Sequence, residues 1–194
     1  MGFYFACKKA ATRLGATIVS VLLPNHTTAE RLKRVSINGR VAFGTTCVEL
    51  ALEHFELLQH PYAKQLLAKL WDFVSSSDLG EWEESIEIYS AAAAAAGPNS
   101  EPMQAADAAL RRWYASLPLV LIELVDNVLE IGRANLYAAT VGPSATTLDA
   151  TMRVVALMKL IGLPLPSLTP FEKSSFAECH GWGNRVNRAF FLEG

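Results

Sequence analysis

Cys179 and His180 are the one adjacent thiol–imidazole pair in a chain of 194 residues. A thiolate raised by a neighbouring base is the chemistry such a pair suggests. Adjacency alone does not supply it, because nucleophile and base must meet in space and be oriented by a third group. Gly181-Trp182-Gly183 follows and reads as a turn with a packed indole. Metal chemistry has even less to work with. The histidines His26, His54, His60 and His180 are scattered, and neither HExxH, a Glu-x-x-His pair nor CxxC occurs. Glu178-Cys179-His180 is compact, but neighbours in sequence rarely ligate one ion together. GxxxxGK[ST] and GxGxxG are both absent, so no phosphate loop is expected. The sequence therefore assigns no catalytic residue, no metal and no cofactor.

Two acidic strips remain. Asp78, Glu81, Glu83, Glu84 and Glu87 surround Trp82, and Leu79, Trp82, Ile86 and Tyr89 recur at helical spacing behind them. Such an arrangement is either a solvated face or a docking surface for a basic partner, with Trp82 as anchor. The second strip is Glu123, Asp126 and Glu130, projecting together from one helix. It is a solvated face, a partner site or a partly buried polar network.

Charge is unevenly placed. The net charge is −2, yet residues 1–40 carry +6, residues 41–110 carry −9 and residues 111–194 carry +1. The basic end holds Lys8, Lys9, Arg13, Arg31, Lys33, Arg34 and Arg40, without a recognisable nucleic-acid-reading motif, and the acidic middle opposes nucleic-acid binding. Lys8, Lys9 and Arg13 also precede the apolar stretch 14–23, but no small-x-small site follows, so an ordinary first helix is the better reading. No apolar run reaches the roughly 20 residues that span a bilayer, so no membrane partner is expected. Cys7, Cys47 and Cys179 are an odd, sparse set, which fits three free thiols in a reducing cytoplasm.

The elements that must position these residues read as helices. Apolar residues at Leu121, Leu124, Val125, Val128, Leu129, Gly132 and Leu136 predict a mostly buried central helix from Pro118 to Thr140, with Arg133 able to pair with Glu130. Residues 3–23 predict another helix, and Thr27 with Glu30 forms a capping box for the next. Ser36 to Gly39 reads as a turn before a helix over 40–59, whose inward stripe includes Gly44, Cys47, Val48 and Ala51 and whose outward stripe starts at Thr45. Pro61–Ser75 and Asp78–Ser90 follow, then Ala91–Ala96 and a loop at Gly97–Ser100. A helix with Met103, Leu110 and Trp113 leads into the central one; another, capped by Thr146 or Thr147 and carrying an Asp149–Arg153 pair, reaches Ile161. Thr169-Pro170-Phe171-Glu172 starts a last, short helix. Strand alternation is nearly absent, Thr17–Val21 being the best candidate. The expected fold is all-α, a single-domain antiparallel array of about eight helices over residues 1–194, with residues 1–30 readable as a peripheral N-terminal helix.

Asn38-Gly39-Arg40-Val41-Ala42-Phe43-Gly44 followed by Cys47-Val48-Glu49 resembles the opening of small bacterial immunity proteins encoded beside polymorphic toxins. Leu70-Trp71-Asp72-Phe73, the acids around Trp82, Glu130-Ile131-Gly132-Arg133 and the Pro-rich tail are similar in arrangement, so the likeness spans about residues 36–190. The resemblance implies a helical cytoplasmic protein that neutralises a cognate, basic toxin by binding it, and it carries over no catalytic residue. The alternative is a small helical enzyme or ligand-binding domain using Glu123, Asp126 and Glu130 or the Cys179-His180 tail.

Overall fold

Ser36 fixes the start of the most buried helix. Its backbone is extended and its Oγ accepts the Gly39 amide at 3.0 Å, an N-cap that satisfies one of the helix's orphan donors. The expected turn at Ser36–Gly39 is therefore the first turn of the helix. The computed structural model describes residues 26–90 and 105–192, and among them the fold is all-α. Its helices are α1 (His26–Leu32), α2 (Ile37–His54), α3 (Pro61–Ser75), α4 (Leu79–Ile86), α5 (Ala105–Ala115), α6 (Leu119–Arg133), α7 (Ala145–Leu160), α8 (Thr169–Glu172) and α9 (Ala189–Leu192). Short 3-10 turns occupy Glu87–Tyr89 and Cys179–Gly181, and a single β-bridge joins Val35 to Ser175. The helix expected over 3–23, the β-prone Thr17–Val21, the alanine run and the loop Gly97–Ser100 lie outside the described residues.

Local chemistry explains most boundaries. Pro61 opens α3, and the His60 Nδ1 accepts the Tyr62 amide as its cap. Asp78 caps α4 by accepting from Gly80 and Glu81 at 2.9 and 3.0 Å. Pro118 stands at the N-cap of α6. Two boundaries depart from expectation. Thr27 lies inside α1, so the capping box with Glu30 is not formed. α6 ends at Arg133 rather than Thr140: hydrogen-bonded turns follow it, and the Asn135 Nδ2 donates to the Ser144 Oγ at 2.5 Å.

α2 is the axis of the packing. Thirteen of its eighteen residues are buried, so it has no solvent face over its first half. It packs on α3, α6 and α7, while α6 and α7 lie against each other. A Cβ on Gly44 would come within 2.8 Å of Val128 Cγ2, so glycine permits the close approach of α2 and α6. Cys47 is fully buried in this core, as its helical position predicts; Thr45, expected on the outward stripe, is fully buried too, because α2 is enclosed on more than one side.

Arg40 is the largest departure. Counted in the sequence among the basic residues of the N-terminal forty, it is completely buried. Its Nε donates to the Leu32 carbonyl at 3.0 Å, its Nη1 to Thr147 Oγ1 at 2.6 Å and Ser144 O at 3.3 Å, and its Nη2 to Lys33 O at 3.3 Å. The Phe176 ring lies 5.1 Å from the guanidinium. Burial pushes the guanidinium down to about 10. The carbonyls at the end of α1 suit a cation, and Arg40 joins α1, α2, the start of α7 and the C-terminal segment. That segment straps across the start of α2: Ser174 accepts the Ser36 amide, Trp182 accepts the Asn38 amide, and Glu172 pairs with Arg31 at 2.7 Å.

Candidate functional site

α4 carries the first acidic strip, and its apolar side decides how that strip is presented. Trp82 is only 4% exposed, and its Nε1 donates to the Lys69 carbonyl at 2.8 Å. Its ring meets Phe73 edge-on at 4.7 Å. A Cβ on Gly132 would stand 2.7 Å from Trp82 Cη2 and 3.0 Å from Phe73 Cε2. The indole is thus a wedge that seats α4 against α3 and the end of α6. Trp82, expected as a surface anchor, is corrected to a core residue, because its apolar rings and its N–H are all satisfied inside.

The exposed aromatic beside the acids is Tyr137, 83% exposed, in the turn after α6. Its hydroxyl donates to Glu83 Oε2 at 2.6 Å. Glu83 Oε1 also lies 3.9 Å from Arg133 Nε, a charge contact too long for a hydrogen bond. The hydrogen bond to Glu83 holds the phenol above its ordinary value, and the charges of Glu83, Glu84 and Asp78 add to this. Asp78 and Glu83 are therefore employed within the protein, one as a cap and one as a clasp. Glu81, Glu84 and Glu87 are exposed, and among the described residues none of them makes an ion pair. Tyr137 was missed in the sequence because it was read as a continuation of the central helix. The available signal was an aromatic two residues after an asparagine, off the apolar stripe.

The second strip sits on α6, with Glu123 exposed and Asp126 and Glu130 half-buried. Arg133 does not pair with Glu130 but turns to Glu83 on α4. Nor does Arg153 pair with Asp149; its Nε donates to Asn127 Oδ1 at 2.6 Å, across from α7 to α6. Asp126 bears on Tyr114, whose phenol is raised first by burial and then by that carboxylate. The Tyr114 hydroxyl is buried without a hydrogen-bond partner.

Cys179 and His180 are both exposed, in left-handed conformations at φ 45° and 55°. The Cys179 Sγ donates to Asn184 Oδ1 at 3.3 Å, so its recorded partner is an amide oxygen and not an imidazole. The His180 carbonyl accepts from Thr140 Oγ1. The pair thus lacks the base contact that a catalytic thiolate requires. Burial pushes the Cys47 thiol up, which keeps it protonated and inert.

The basic cluster is likewise broken up: Arg31 pairs with Glu172, Lys33 with Glu30 at 2.5 Å, and Arg40 is internal. Lys8, Lys9 and Arg13 lie outside the described residues. Among the described residues no three His, Cys, Asp or Glu side chains gather at metal-binding distance, and no helix is long and apolar enough to cross a membrane. Set against family models, curated proteins and solved structures, the chain matches none of them.

Proposed function

We propose that this chain is a non-enzymatic binding protein that acts as a toxin-neutralising immunity protein, using the outer face of α4 and Tyr137 to hold a basic partner. One observation carries the reading. Among the described residues Glu81 and Glu84 on α4 and Glu87 in the 3-10 turn after it make no ion pair, α4 is wedged in place by Trp82, and an exposed tyrosine is clasped to its edge by Glu83. Acids at an exposed rim each contribute about 0.2–1 kcal/mol, steer a basic partner inward and lose effect with salt. A tyrosine buried on binding supplies the larger share, on the order of 2 kcal/mol. Cytoplasmic action goes with this reading, since Cys47 and Cys179 are free thiols.

The test is co-expression with the toxic product of the gene adjacent to its own. The chain should restore growth and co-purify with that product. Glu81→Lys, Glu84→Lys and Glu87→Lys together should sharply weaken both while leaving the helical circular dichroism unchanged. Protection undiminished by the triple reversal would remove this face from the mechanism.

A further inference from the structure

A cleft of about 430 Å³ opens between the α3–α4 loop and the segment 179–185. That volume falls within the range of small-molecule sites. Phe73, Leu79 and Trp182 are among its apolar lining, and Ser77, Cys179 and Arg185 among its polar lining. Two hydrogen bonds from Asn38 hold its far wall. The Asn38 amide donates to Trp182 O at 3.0 Å, and the Asn38 Nδ2 to Asn184 O at 3.0 Å. A preformed wall of this kind lowers the ordering cost of binding.

The charge in this cleft is the reverse of the chain's acidic middle. It is lined by one guanidinium and by no carboxylate. The nearest acids in sequence are turned elsewhere: Asp78 caps α4, and the Glu178 Oε2 accepts the Ser175 amide. Among the described residues Arg185 makes no ion pair, and the Ser77 hydroxyl makes no hydrogen bond within the protein. Two unused donors therefore share this cleft with apolar residues. We propose that this cleft binds a small organic monoanion, its carboxylate paired with Arg185 and Ser77 and its apolar body resting on Trp182 and Leu79. The proposal stands apart from the partner-binding reading, because it uses none of Glu81, Glu84, Glu87 or Tyr137.

The probe is benzoate, titrated into the whole chain and followed by amide and indole resonances, with benzamide as the neutral counterpart. Benzoate should shift the Trp182 indole and the Ser77 and Gly183 amides in a saturable way. Benzamide and the Arg185→Gln variant should each weaken binding at least about tenfold, the scale of a lost hydrogen bond to a charged group. Ser77→Trp, which fills the cleft from an exposed loop position, should abolish the shifts. Absent shifts at these residues, equal affinity for benzamide, or benzoate binding unchanged in either variant would each overturn the proposal.

Discussion

Replacing Gly132 with alanine puts a methyl group where the Trp82 ring already sits. The new Cβ would lie 2.7 Å from Trp82 Cη2, 3.1 Å from Cζ3 and 3.0 Å from Phe73 Cε2. The indole cannot slide away freely, since its Nε1 is tied to the Lys69 carbonyl at 2.8 Å. Overpacking of this kind costs about 1–3 kcal/mol, and breaking the indole hydrogen bond to make room costs about 1–3 kcal/mol instead. Against this, Gly→Ala inside a helix gains about 1 kcal/mol of propensity. The expected balance is a loss of about 0–2 kcal/mol, which for a chain of this size lowers Tm by up to about 8 °C. Urea denaturation followed by tryptophan fluorescence measures it. The decisive comparison is the same substitution in a Trp82→Leu background. There the closer ring is gone and only Phe73 Cε2 at 3.0 Å still crowds the methyl group, so Gly132→Ala should cost less than in the wild type, a coupling of at least about 1 kcal/mol. If Gly132→Ala stabilises the protein in the wild-type background, α4 does not rest on Gly132 and the presentation of its acids needs another basis.

Tyr114→Phe should be neutral or stabilising by about 1 kcal/mol, because it removes a buried hydroxyl that has no partner. It should also flatten the alkaline limb of stability. Burial raises Tyr114 and pushes Tyr89 up to about 12. The folded state thus keeps protons that the unfolded chain releases above its ordinary phenol range. The stabilisation is complete below about pH 10 and is lost as pH rises through the folded values; urea midpoints at pH 9 and 11 measure the fall. Arg40→Ala should cost at least about 3 kcal/mol, since it strands the buried acceptors at Leu32, Lys33, Ser144 and Thr147; a midpoint near wild type would contradict the staple. In a thiol titration of the native protein Cys179 should react quickly and Cys47 only after unfolding, and Cys47 reacting before denaturant is added would contradict its place in the core.

The helix starts were legible where a residue imposes them through its own chemistry. Pro61, Asp78, Pro118 and Thr169-Pro170 each act on neighbours within a few positions, and the structure places helix starts at or beside them. Thr45 and Arg40 were not legible, because a helical wheel supposes one dry face and α2 is enclosed on several. The acceptors that hold Arg40 are carbonyls at 32, 33 and 144 and a hydroxyl at 147, and carbonyl positions leave no trace in side-chain pattern. At the site, Trp82, Ile86 and Tyr89 are buried behind the acids as their spacing implied, whereas Trp82 as a surface anchor was not borne out and Tyr137 was not singled out. Trp82 has helical spacing to Ile86 and so goes inside, whereas Tyr137 owes its exposure to the helix stopping at Arg133. Beyond that stop Asn135 meets Ser144, a pairing between turns that periodicity does not record.

The most direct measurement is the affinity of the chain for the toxic product of the neighbouring gene, taken by calorimetry at low and moderate salt. It compares wild type, the Glu81/Glu84/Glu87 reversal to lysine, and Tyr137→Ala. The account predicts weaker binding with added salt in the wild type, loss of that dependence in the reversal, and a loss on the order of 2 kcal/mol for Tyr137→Ala. Equal affinities for all three proteins at both salt concentrations would contradict it.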